Sequence, residues 1–208
     1  MQRTRAYLFD FDGTLVDTMM GFADIAAEVI NRFHPTMSFK EARQRYLDTS
    51  GNPFFQQLEI IFPGDPDNKE VSEIFEKTKI DGFFKSRFHD DVRYTINRLR
   101  EEGHLAGIAS NNFQELIDKF VETEGLEFDV VLGFRPGFEK GKPHFDYVKE
   151  KFNLENKDIT FVGDSLKDAE KAFNYGLGFV GICGTFKKED FLKYRNDIVT
   201  INNIKELL

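Results

Sequence analysis

Asp10 and Asp12 stand two residues apart at the end of an apolar run, in the segment YLFDFDGTLVDT from Tyr7 to Thr18. Residues at this spacing on an extended strand face the same side, so both carboxylates can reach one group. Crowded carboxylates repel, so either one of them is protonated or a cation sits among them. A carboxylate can attack phosphorus to give an acyl phosphate, which splits one difficult step into two. A second carboxylate can protonate the leaving oxygen and later take a proton from water.

Three further polar clusters end apolar runs or follow them: Ser110, Asn111 and Asn112; the loop lysines Lys140 and Lys142; and Gly163, Asp164 and Ser165, with Asp168 one helical turn later. Any one of these could be a helix cap. Four sequence-distant clusters in this position call for a shared site. Oxygen ligands of this kind suit Mg²⁺, which commonly bridges protein carboxylate and substrate phosphate. A lysine, a hydroxyl and N–H groups at helix starts would hold the remaining phosphate oxygens.

The elements that position these groups can be read from the apolar pattern. Five short runs read as strands, at 6–12, 104–110, 129–134, 158–164 and 178–183, without the strict alternation of half-exposed strands. Helical periodicity lies between them, as in Phe113 to Glu124 and in the stripe Phe145, Val148 and Phe152 behind Pro143. Strands alternating with helices predict an α/β fold with a doubly wound parallel sheet. In such sheets ligands bind outside the carboxyl ends of the strands, where all four clusters fall. The stretch between the first two strands is too long for one crossover. Its periodic segments near 18–33, 38–48, 53–62 and 68–88 predict a four-helix insertion. The expected division is a core of 1–16 and 89–208 with an inserted helical domain of 17–88.

The 208 residues carry a formal charge of −8, which argues against a nucleic-acid or anionic-membrane surface. The single cysteine, Cys183, allows no internal disulfide and reads as a small buried hydrophobe. The start MQRTR precedes too few apolar residues for a signal-peptide core, and no run is long enough to span a bilayer. The expectation is a cytoplasmic protein, monomer or homodimer, acting on a small metabolite.

These residues resemble the haloacid dehalogenase superfamily over nearly the whole chain. DFDGTLVDT is similar to its first motif, DxDGTxxDT; the strand ending at Ser110 resembles the second, the lysine loop the third and GDSLKD the fourth. A helical insertion after the first motif resembles the cap of the phosphoglycolate-phosphatase and β-phosphoglucomutase branch. The resemblance implies a Rossmann-like core, Asp10 as nucleophile and Asp12 as general acid/base. It implies Mg²⁺ held by the Asp10 side chain, the Asp12 carbonyl and Asp164, with Asp168 supporting the metal shell or the lysine. Ser110, the backbone of Asn111, Gly13 and Thr14 would bind the phosphoryl group, and Asp17 and Thr18 would lead into the cap hinge, with Asp17 reading equally as a helix-start carboxylate. Matching the proline of the third motif to Pro143 selects Lys140 as its lysine, and matching the Lys-Pro pair selects Lys142; Lys140 needs the smaller adjustment in spacing. His144 beside them reads as a surface residue at a helix start.

Asp12 also bears on reaction class. Dehalogenating members of the superfamily lack this acid/base, because halide leaves without a proton. Mutase members carry a cap histidine where this chain has Phe22, and the early cap segment 18–31 lacks the lysine of phosphonatases. The implied activity is hydrolysis of a phosphate monoester, with a phosphomutase or a non-catalytic phosphate-binding protein as alternatives. The cap is expected to choose the substrate, with the turn Thr49 to Pro53 at the place of a specificity loop. Arg43 and Arg45 ahead of it read either as ligands for a second anionic group or as a solvated helix face.

Overall fold

The computed structural model describes residues 4–208, the side chain of Asp81 excepted; the first three residues of the MQRTR start lie outside the described residues. The chain divides into two compact units, one running to Val16 and resuming at Arg87–Leu208, the other Asp17–Ser86.

The first unit is built on a six-stranded parallel sheet in the order β3-β2-β1-β4-β5-β6. Its strands are β1 (Ala6–Phe9), β2 (Leu105–Phe113), β3 (Val130–Phe134), β4 (Ile159–Gly163), β5 (Gly178–Ile182) and β6 (Val199–Ile201). The winding reverses between β1 and β4, which is where doubly wound sheets leave a crevice at their carboxyl ends. The strands are short and apolar, with Leu8, Phe9, Ile108, Phe161 and Val162 buried. Helices on both faces of the sheet explain why these runs do not alternate.

Two expected strand boundaries differ markedly, and one strand is additional. β1 stops at Phe9 rather than 12, because the Phe11 carbonyl accepts from the amides of Leu15 (2.9 Å) and Val16 (3.1 Å) and coils the chain into a turn. β2 runs on to Phe113 through a register shift between Ala109 and Phe113. β6 was not expected, since a three-residue VTI segment carries no periodicity; it pairs in parallel with β5, Ile182 opposite Ile201.

The second unit contains four helices, α1 (Met19–Phe33), α2 (Phe39–Asp48), α3 (Phe54–Ile61) and α4 (Asn68–Phe83). Ser38 caps α2 by accepting from the Glu41 amide at 3.2 Å. Small residues of α1, among them Ala23, Ala26 and Ala27, are wholly buried, and Phe75 of α4 packs 4.1 Å from Phe54 between ring centroids. The turn 49–53 is tied internally: Gln57 donates to the Asn52 carbonyl at 3.0 Å and accepts from the Thr49 hydroxyl at 2.9 Å. Arg43 pairs with Asp24 and Arg45 with Glu41, both on exposed helix surface.

Returning to the first unit, its helices are α5 (Asp90–Glu101), α6 (Gln114–Glu124), α7 (Lys142–Phe152), α8 (Leu166–Tyr175) and α9 (Lys188–Tyr194). Phe11, Phe88 and Phe120 meet edge to face, with centroids 5.1–6.0 Å apart, and so anchor the turn after β1. Burying each such ring contributes about 1.5–3 kcal/mol. His144 is buried rather than on the surface as expected. Its place at the start of α7 turns the ring inward, 4.6 Å from the Phe138 ring and 3.2 Å from the Gly133 carbonyl. Burial pushes its pKa down to about 4, so the neutral ring donates from Nε2 to that carbonyl. Cys183 is half-buried at the end of β5. No helix among the described residues is long and apolar enough to cross a membrane.

Candidate active site

The carboxyl ends of β1 and β4, neighbours in the sheet, bring Asp10 and Asp164 together. Asp10 continues the pairing by one residue, its amide donating to the Val162 carbonyl at 2.8 Å. Its carboxylate is buried, with Oδ1 2.9 Å from Lys140 Nζ. The same ammonium lies 2.8 Å from Asp168 Oδ1. Asp10, Asp164 and Asp168 each offer a carboxylate oxygen within 4.8 Å of the others, and all three are buried.

Asp168 reaches this cluster from the first turn of α8. Ser165 caps that helix by accepting from the Asp168 amide at 3.1 Å, and its hydroxyl donates to Asp168 Oδ2 at 2.6 Å. Gly163 makes the room, because a Cβ there would lie 2.7 Å from the Asp168 Cβ and 2.8 Å from its Oδ2. The Asp164 carboxylate accepts from the Thr185 hydroxyl, a residue outside the sequence motifs.

Charge in this pocket is unbalanced. Burial pushes the Lys140 ammonium toward its neutral form, but Asp10 and Asp168 outweigh it and hold the pKa above the ordinary lysine range. Burial raises the Asp10 carboxyl to about 7, against the pull of Lys140 and with the help of Asp168. Burial, then the neighbouring Asp10 and Asp168, raise Asp164 well above the carboxylate range. Three buried carboxylates outnumber the Lys140 ammonium and the Lys171 ammonium that also acts on Asp10 and Asp168, which favours a further cation, and an all-oxygen donor set suits a hard divalent ion. The residues present therefore fit Mg²⁺. The Asp12 side chain is not in this cluster; it turns toward β2, where Asn112 donates to its Oδ2 at 2.6 Å.

The second strand ends in the buried Ser110, whose hydroxyl accepts from the Asn112 amide at 3.1 Å. Asn111 reaches across to the third cluster, its Oδ1 accepting from the Lys140 amide at 3.1 Å. The two loop lysines part company here. The Lys140 side chain is 3% exposed within the cluster, whereas that of Lys142 is 74% exposed and pairs with Asp146 along α7. Gly13 turns the chain with φ +75°, its amide donating to the Val16 carbonyl at 2.8 Å. Thr14 is buried next to it, and its hydroxyl has no hydrogen-bond partner among the described residues. Asp17 is exposed and offers no carboxylate to the first turn of α1. Thr185 entered the site without a chemical signature in the sequence, and the clusters that hold Asn112 and Gly163 gave no sign of the contacts these two make. An asparagine, a threonine and a glycine near strand ends are ordinary turn residues until their contacts are known.

A parallel sheet in this order, with an acidic strand end, a buried lysine and a second acidic cluster across the reversal, defines a Rossmann-like hydrolase. The chain belongs to the haloacid dehalogenase-like hydrolase family, whose sequence model matches residues 7–182. It is 22% identical over 219 residues to the pyrophosphatase PpaX of Bacillus cereus (strain B4264), covering 99% of this chain and 95% of that one. It is 23% identical over 220 residues to the phosphoglycolate phosphatase of Vibrio parahaemolyticus, covering 100% and 96%. Among solved structures, a haloacid dehalogenase-like family hydrolase from Streptococcus pneumoniae superposes with a TM-score of 0.81 at 18% identity, covering 100% of this chain and 98% of that one. The protein is thus an enzyme of this hydrolase family, and it resembles phosphatases along its whole length.

Proposed function

We propose that the protein is a Mg²⁺-dependent phosphatase that hydrolyses a phosphate monoester of a small metabolite through an aspartyl phosphate on Asp10. The observation that carries this reading is the buried array in which Lys140 bridges Asp10 and Asp168 beside Asp164. Asp10 is the nucleophile, and its carboxylate oxygen forms the new bond to phosphorus as the ester P–O bond breaks. Lys140 and the Ser110 hydroxyl bind phosphoryl oxygens, with the Asn111 amide and the Gly13–Thr14 turn completing the cradle. Asp12 gives its proton to the leaving oxygen. In the second half it takes a proton from the water that attacks phosphorus, freeing Asp10 and releasing phosphate. Asp10, Asp164 and the Asp12 carbonyl would hold Mg²⁺, with Asp168 supporting it through water, and the ion supplies compensation of phosphoryl charge.

The helical unit Asp17–Ser86 takes the part of the cap in this reading and sets the choice of leaving group. Phe22 in α1 supports hydrolysis over mutase chemistry, since it cannot exchange a proton. The relatives' names put pyrophosphate and phosphoglycolate first in a substrate panel, followed by sugar phosphates and nucleotides. The test is Asp10→Asn: with Mg²⁺ present, hydrolysis of p-nitrophenyl phosphate should fall about 10³-fold or more. EDTA should abolish the wild-type rate and Mg²⁺ restore it. A rate unchanged by Asp10→Asn would refute the mechanism.

A further inference from the structure

Asn112 is the second residue after Ser110, within the stretch of β2 between Ala109 and Phe113 where the register shifts. It is 3% exposed. Its Nδ2 donates to Asp12 Oδ2 at 2.6 Å, and its backbone amide donates to Ser110 Oγ at 3.1 Å. The neighbouring strand leaves space for this conformation: a Cβ on Gly133 would lie 2.9 Å from the Asn112 carbonyl oxygen. One residue thus joins the ends of β1 and β2 at the two groups that face a phosphoryl oxygen and a leaving group in the proposed reaction.

We propose that Asn112 is a positioning residue for the acid/base Asp12, an inference that rests on the phosphatase reading above. An amide NH₂ group only donates, so Asp12 Oδ2 accepts whether or not Oδ1 carries a proton, and the contact has one sense. It occupies Oδ2 and fixes the plane of the carboxyl group. The other oxygen, Oδ1, becomes the proton carrier. As the ester P–O bond breaks, its electron pair stays on the leaving oxygen, the proton leaves Asp12 Oδ1 for that oxygen, and an Asp10 oxygen bonds to phosphorus. The backbone contact acts on the same step from the other side. Because Ser110 Oγ already accepts from Asn112, its own proton is turned toward another acceptor, the phosphoryl oxygen.

A group that aims the acid matters most where the leaving group needs a proton. Glycerol 2-phosphate releases an alkoxide that must be protonated, whereas p-nitrophenolate leaves without help. The experiment measures kcat/KM for both esters with Mg²⁺ for wild type, Asp10→Asn, Asn112→Ala and Asn112→Asp. Absence of Asp10-dependent turnover in the wild type would overturn the phosphatase reading itself. Given that turnover, each Asn112 variant should lose about tenfold or more on glycerol 2-phosphate and markedly less on p-nitrophenyl phosphate. Equal losses on both esters, no loss, or a larger loss on the aryl ester would overturn the positioning role. Asn112→Asp keeps the side-chain shape while replacing the donor by an acceptor, so the question stays answerable if Asn112→Ala does not fold.

Discussion

Replacing Lys140 by alanine should separate the two loop lysines by stability alone, and should do so in a pH-dependent way. Lys140 bridges two buried carboxylates, with Nζ 2.9 Å from Asp10 and 2.8 Å from Asp168. Its removal strips both of this ammonium, and breaking a buried pair this way costs about 3–5 kcal/mol. For a chain of this length about 2–4 °C of melting temperature corresponds to each kcal/mol, so the expected drop is about 10 °C. The cost should apply in full at pH 8 in EDTA. At pH 5 it should shrink, because without the lysine the Asp10 carboxyl binds its proton more tightly than in the wild type, and a protonated carboxyl needs no partner. Lys142→Ala removes an exposed i,i+4 pair with Asp146 and should change stability by less than about 0.5 kcal/mol at either pH. Differential scanning calorimetry of the two variants at both pH values checks this. Equal costs for the two lysines, or a Lys140→Ala loss that does not grow with pH, would refute the assignment of Lys140 to a buried charge cluster.

Further outcomes follow from the same cluster. In metal-free protein Asp10 holds its proton up to about 7, above the ordinary value of 3.8. The folded state therefore binds this proton more tightly than the unfolded chain, and stability should fall as pH rises through that window. In the proposed site Mg²⁺ would compete for the ionised form, so its stabilising effect, about 2.7 kcal/mol at a hundredfold excess over Kd, should be larger at pH 8 than at pH 6 in thermal melts. A Mg²⁺ shift independent of pH would argue against Asp10 as a ligand. Asp164→Asn should remove buried like-charge repulsion, raising the metal-free melting temperature while abolishing most of the Mg²⁺ shift; a lower metal-free melting temperature would contradict this. Gly163→Ala forces a Cβ to 2.7 Å from the Asp168 Cβ and should cost about 1–3 kcal/mol by denaturant titration, with activity falling as Asp168 is displaced.

What the sequence determined by itself is the part of the molecule written in short-range pattern. Apolar runs between helical periods define a parallel α/β sheet, because strands covered on both faces have little alternation to show. The spacing of Asp10 and Asp12, the turn residues after Ser110 and the GDSLKD segment mark where each strand meets the site, since these residues are adjacent in the chain to the strand ends they follow. The gaps between the periodic segments near 18–33, 38–48, 53–62 and 68–88 likewise mark the joints from α1 to α4. None of this required knowledge of what lay across the sheet.

Only the tertiary structure decided the contacts that distinguish similar residues. Lys140 and Lys142 are two residues apart in one loop, yet one is buried between Asp10 and Asp168 and the other points to solvent. Asp10 and Asp12 match in charge and spacing, but the turn after Phe11 sends one to Lys140 and the other to Asn112. His144 and β6 were misread or missed for the same reason, because burial and pairing come from segments far away along the chain. Local pattern reports the period of the backbone and the polarity of each face; it carries no record of which distant group fills the space opposite. In this protein that distant group sets which carboxylate meets a buried ammonium and which lysine lies inside the cluster.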